Sequence, residues 1–189
     1  MLSRILALSF VAGAALALVA ADSSGATYVY VSLAPEQKIQ LYRLEEATGM
    51  LTAVDTISVD GTPGSLAVDP QKKFLFASLR STSSLGSYRI DAATGKLSPI
   101  STAALPEGEN AAFVRPDHTG RWLLSASYAA GKVVVHRLTE DGRIESPPVQ
   151  TVTTAQTAHC IAIDEDNRFV FVPHVAPNAV YQFHQNAST

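Results

Sequence analysis

Three stretches of the chain repeat one alternation of polar turn and apolar strand. Asp69-Pro70-Gln71-Lys72-Lys73 leads into Phe74-Leu75-Phe76-Ala77-Ser78, Arg115-Pro116-Asp117-His118-Thr119-Gly120-Arg121 into Trp122-Leu123-Leu124-Ser125, and Asp164-Glu165-Asp166-Asn167-Arg168 into Phe169-Val170-Phe171-Val172-Pro173. The leading aromatics Phe74, Trp122 and Phe169 lie 48 and 47 residues apart. A second pattern runs in phase with the first. Leu41-Tyr42-Arg43-Leu44, Ser87-Tyr88-Arg89-Ile90 and Val135-His136-Arg137-Leu138 are each followed by a glycine-containing turn (Gly49, Gly95, Gly142) and another strand. Strand, glycine turn, strand is the signal of a hairpin, in which glycine supplies the positive φ of a tight connection.

Short apolar runs stand between these patterns: Ser65-Leu66-Ala67-Val68, Ala111-Ala112-Phe113-Val114 and Cys160-Ile161-Ala162-Ile163. They lack a period of two, which predicts strands buried on both faces. After the N-terminal segment, no stretch carries a helical period. Each repeat of about 47 residues therefore holds four short strands, the pattern of a β-propeller blade. The expected fold is all-β, a partial β-propeller of about three and a half four-stranded blades. Tyr28–Ser32 matches the second strand of a blade. Complete blades are expected over roughly 62–107 and 108–155, and a further one starts near residue 156 and reaches its third strand at Phe183-His184.

The N-terminus changes the picture. Met1–Arg4 is a short basic start, and Ile5–Ala21 carries no charge and is rich in Ala and Leu. Small residues then offer cleavage after Ala21 or Ala26. This reads as a secretory signal peptide over residues 1–26, leaving 27–189 as the propeller domain. A retained anchor is the alternative, because a run of roughly 17 apolar residues is the lower limit of a membrane span. Either way the chain is expected to be exported, to the periplasm or the exterior, with no stable membrane insertion after cleavage. A formal net charge of −3 over 189 residues provides no basic stripe, so nucleic acid is not an expected partner. Cys160 is the only cysteine, which excludes an internal disulfide, and reads as a small buried hydrophobe rather than a nucleophile. No Cys/His group has metal-ligand spacing, and there is no glycine-rich phosphate loop or GxSxG elbow, so no metal or cofactor is expected.

The turn-plus-strand signature, the Ala-Thr-Gly-x-Leu hairpins and Ser125-Ala126-Ser127-Tyr128-Ala129-Ala130-Gly131-Lys132-Val133-Val134-Val135 resemble the bacterial propeller-type 6-phosphogluconolactonases. That lactonase family also includes a fungal carboxymuconate-cyclising enzyme. The resemblance runs from about Thr27 to His184 and implies a seven-bladed ring, of which this chain covers about the first half. It implies a hydrolase that opens a sugar lactone, with a small-molecule lactone or sugar acid as ligand. It further implies that His159, opening the last inner strand, is the catalytic residue, a general base in its neutral form. Arg80, directly after a second strand, would bind a phosphate or carboxylate. Tyr128 would offer its hydroxyl to substrate. Each has a structural alternative: His159 bonding a loop carbonyl, Arg80 solvated, Tyr128 packing its ring. His118 reads as solvated, His136 as a packing residue in the place of Tyr42 and Tyr88, and His174 and His184 have no evident partners. The competing function is a non-catalytic exported propeller fragment that binds or scaffolds. An incomplete ring leaves apolar faces and a strand edge uncovered, so self-association, or pairing with a missing C-terminal half, is expected.

Overall fold

A computed structural model describes residues 26–186. The expected signal segment lies outside the described residues, apart from Ala26. Fourteen strands form four antiparallel sheets. The first sheet holds β1 (Thr27–Leu33), β2 (Lys38–Glu45) and β3 (Met50–Ser58). The second holds β4 (Pro63–Val68), β5 (Phe74–Leu79), β6 (Ser84–Ile90) and β7 (Leu97–Ala104). The third holds β8 (Ala111–Pro116), β9 (Trp122–Ser127), β10 (Lys132–Arg137) and β11 (Gln150–Thr153). The fourth holds β12 (Ala162–Ile163), β13 (Phe169–His174) and β14 (Ala179–His184). Within each sheet the strands follow one another in chain order. The sheets are the blades expected from the repeat, and Phe74, Trp122 and Phe169 each open the second strand of theirs. One turn of 3-10 helix, Arg80–Thr82, is the only helix among the described residues.

The repeated turn is held by its aspartate. Asp69 Oδ1 accepts from the backbone N–H groups of Lys73 and Phe74, both at 2.6 Å. Asp117 Oδ1 accepts from Arg121 (2.9 Å) and Trp122 (3.0 Å), and Asp164 Oδ1 from Arg168 and Phe169, both at 2.6 Å. One carboxylate so satisfies two donors that the tight turn would leave unpaired. The backbone N–H of Phe169, first among several donors, holds the Asp164 carboxyl below its ordinary range. An arginine caps the ring that follows: Arg89 lies over Phe74 at 5.2 Å and Arg137 over Trp122 at 4.9 Å, each contact contributing about 0.5–1 kcal/mol.

Three apolar layers join the blades. Ile39, Leu75, Leu79 and Tyr88 fill the space between the first and second. Phe74, Phe76, Leu85, Leu123 and Val134 fill the next, and Trp122, Val133, Ile161, Val170 and Val172 the last. Each fully buried large side chain contributes about 1.5–3 kcal/mol relative to exposure. The hairpin glycines belong to this packing. Gly95 (φ +70°) lies against the ring of Tyr28 and Gly142 (φ +86°) against that of Phe74, and an added Cβ would meet those rings at 2.6 and 2.4 Å. Each turn therefore needs glycine twice, for its backbone angle and for contact with the preceding blade.

Two expectations are corrected. The inner strands are mostly half-buried rather than buried on both faces, and Val68 is 41% exposed. Each stands at the edge of its sheet, so one of its sides meets no neighbouring strand. Cys160 is half-buried, not a core residue. The inner strand of the fourth blade is also short: Cys160 and Ile161 lie outside β12.

His136 is fully buried, as a packing residue should be, but neither ring nitrogen has a partner among the described residues. Burial pushes its pKa below the ordinary 6.5. The folded chain then keeps this imidazole neutral while the unfolded chain binds a proton as pH falls past 6.5, so folding stability declines with falling pH. His136→Leu is expected to remove that slope. Its melting temperature should exceed that of the unmodified protein by a margin that widens from about pH 7.5 to about pH 5. A constant margin would mean that His136 does not titrate with unfolding.

Candidate active site at the channel mouth

One end of the arc gathers the candidate residues. The last residue of β5, Leu79, pairs with Pro63 at the start of β4 and with Ser84 at the start of β6, which in turn pairs with Ala104 at the end of β7. The loop after each second strand and the connection entering each inner strand thus share one face. Arg80 and Tyr128 are the first residues after β5 and β9. His159 lies in the connection entering β12, so all three expected site residues fall on this face.

A register shift recurs at the entry of the inner strands, between Pro63 and Leu66 on β4 and between Ala111 and Phe113 on β8. In the fourth blade the isolated pair Ala158–His174 stands one residue out of register with Ala162–Phe171. Bulges of this kind re-aim side chains. Gly64, Ala112 and His159 follow the first paired residue of their respective inner strands. Only the last carries a functional group, and His159 is exposed. Its backbone N–H donates to Pro173 O at 3.1 Å, which anchors the main chain and leaves the imidazole free.

Tyr128 of the third blade meets His159 of the fourth edge to face, with ring centroids 5.6 Å apart and planes at 81°. The Tyr128 carbonyl accepts from Thr157 N–H at 2.7 Å, which ties this loop to the strand entry that carries His159. Among the described residues no carboxylate bonds the imidazole, and the Tyr128 ring packs against it.

One blade earlier the same junction is built around Arg80. Its Nε donates to Asn110 Oδ1 at 3.3 Å, and Asn110 Nδ2 donates back to the Arg80 carbonyl at 3.0 Å. Its side chain crosses Gly64, where a Cβ would come within 3.0 Å of Arg80 Cδ. Next to Asn110, Glu109 is turned inward and fully buried. Its Oε1 pairs with Lys132 Nζ at 2.9 Å.

Glu109, Asn110 and Lys132 were not among the sequence candidates. The partners of Glu109 and Asn110, Lys132 and Arg80, are distant in sequence. His174 does have partners: it is buried, with Nε2 2.9 Å from Thr154 Oγ1 and Nδ1 2.8 Å from Val172 O. Among the described residues no group of His, Cys, Asp and Glu could hold a metal ion.

The family model of the seven-bladed β-propeller lactonases matches residues 6–115 and 34–189. The chain belongs to that lactonase family. Its curated relatives include the 6-phosphogluconolactonase of Cronobacter sakazakii, 34% identical over 155 residues. The match takes in 82% of this lactonase-family chain and 45% of the relative. The 6-phosphogluconolactonase of Klebsiella pneumoniae is 32% identical over the same extent. The chain spans about half the length of the curated relatives it matches. Among solved structures, a periplasmic gluconolactonase of Pseudomonas aeruginosa superposes with a TM-score of 0.73 at 19% identity, over 85% of this chain and 47% of its own. A protein from Lactobacillus plantarum does so with a TM-score of 0.74 at 19% identity, over 86% and 52%. At these identities the superpositions show the fold.

Proposed function

We infer that this lactonase-family chain forms the substrate-facing arc of an exported hydrolase that opens a sugar lactone. The observation that carries the reading is the bulge that presents an exposed His159 imidazole against Tyr128, one blade from the exposed Arg80 guanidinium. In the reaction, His159 takes a proton from water as that water attacks the lactone carbonyl. The Tyr128 hydroxyl donates to the oxygen on which negative charge develops. The ring C–O bond then breaks and the leaving alkoxide takes a proton, giving the sugar acid. Arg80 holds the anionic end of the ligand.

Export follows from the basic and apolar N-terminus, and the periplasmic gluconolactonase of similar fold supports it. The test is acid release from glucono-δ-lactone and from 6-phosphogluconolactone, measured above spontaneous hydrolysis. A rate proportional to protein concentration is expected. No acceleration with either lactone would leave the reading of a non-catalytic propeller module.

The same arc carries uncovered apolar side chains. Val180 is 63% exposed and Tyr181 38% on β14, and Met50, Leu51 and Val54 are exposed on β3. Such surface favours association. The chain lacking residues 1–26 should therefore self-associate, or pair with a C-terminal half of the ring supplied separately. Light scattering after size exclusion reads the outcome, and a sharp monomer with cooperative unfolding would overturn it.

A further inference from the structure

We propose that Asn110 is the positioning residue for Arg80, fixing the guanidinium so that its end-on Nη1/Nη2 edge meets the anionic group of the ligand. The inference rests on Arg80 being the anion receptor and adds what makes it one. An exposed arginine ordinarily samples many rotamers, and ordering it costs side-chain entropy. Three contacts remove that freedom in advance. The absent side chain at Gly64 leaves a bed for the Arg80 methylenes. Asn110 Oδ1 holds Nε, and Asn110 Nδ2 holds the carbonyl of the same residue. One amide so grips both ends of Arg80.

The grip is neutral, and that matters. A carboxylate at position 110 would pair with Arg80 and cancel the charge that the ligand needs. The loop does carry a carboxylate next door, but Glu109 is buried and consumed by Lys132. Among the described residues no acidic group lies in ion-pair contact with Arg80, and neither Nη atom has a hydrogen-bond partner. With Nε occupied, the edge that remains is the end-on pair of N–H groups. That edge matches the two oxygens of a carboxylate or phosphate. The arrangement recurs one blade on, where Thr157 N–H grips the carbonyl of Tyr128.

The test uses the full mature chain, with 6-phosphogluconate, gluconate and inorganic phosphate as probes. Binding is followed through the arginine Nε–Hε NMR signals, and the Arg80 signal is identified by its loss in Arg80→Lys. In the unmodified protein that signal should shift on titration. Arg80→Ala should weaken binding of the tightest probe about tenfold or more, Asn110→Ala about fivefold, and Asn110→Asp as much as Arg80→Ala. All three should leave the melting temperature within about 2 °C. A merely structural role for Asn110 would make alanine and aspartate equivalent. If Arg80→Ala leaves affinity unchanged, or no probe saturates, Arg80 is not the receptor and both readings fall. If Arg80→Ala weakens binding while Asn110→Ala and Asn110→Asp do not, the receptor stands and the positioning role is overturned.

Discussion

His159→Ala is expected to lower lactone turnover by about 10²-fold or more, the ordinary scale of general acid–base help. Thermal unfolding should barely change. The imidazole is exposed, its ring nitrogens bond to no described residue, and the backbone N–H bond to Pro173 survives the substitution. His159→Gln should be equally impaired, because an amide donates and accepts hydrogen bonds but is no base at neutral pH. Tyr128→Phe should cost less, since it removes one donor and keeps the ring that faces His159. Turnover of glucono-δ-lactone, with melting temperature as the control, checks all three. A fall of less than about threefold in His159→Ala, with unfolding unchanged, would take His159 out of the mechanism.

The second large effect is on stability. Asp117→Ala should destabilise the chain by about 3 kcal/mol or more. Hydrogen bonds to a charged group contribute roughly 1.5–3 kcal/mol each, and stranded buried donors add their desolvation cost. Asp117 is fully buried, its Oδ1 serves Arg121 and Trp122, and its Oδ2 accepts from Thr119. Asp117→Asn keeps an acceptor oxygen and should lose about half as much. Asp164 makes the same two backbone bonds from a more exposed position, so Asp164→Ala should cost less than Asp117→Ala. Urea unfolding of the three variants gives the order. If Asp117→Ala and Asp164→Ala are equally mild, the aspartate does not hold the turn.

The blades were legible because their signals are local. A polar turn with a basic residue ahead of an aromatic, and a glycine inside a hairpin, each act within one turn and recur at the repeat length. The bulges entering the inner strands were not. Register is a property of two paired strands, and Thr157-Ala158-His159-Cys160 on its own reads as the start of a continuous one. This is also why Cys160 was expected in the core and lies half-buried. His159, Arg80 and Tyr128 entered through family resemblance, whereas their settings come from the fold. The Tyr128–His159 contact joins two blades. The Asn110 grip on Arg80 joins a loop to a strand end from the preceding blade, and no spacing rule connects them. Glu109 hid for the same reason, since its ion-pair partner, Lys132, opens a strand two further on.

The glycine turns that rest on the preceding blade's aromatic ring make each blade a reader of one neighbour only. Gly95 answers Tyr28 and Gly142 answers Phe74, and neither contact reaches past the adjoining blade. A molecule wired in this way behaves as a linear array of coupled units, whose stability is a sum of unit terms and nearest-neighbour terms. Duplicating one whole repeat adds a junction of a kind already present, whereas a cut inside a repeat breaks the unit itself. The functional face can therefore diversify one junction at a time, as the difference between arginine at 80 and tyrosine at 128 illustrates.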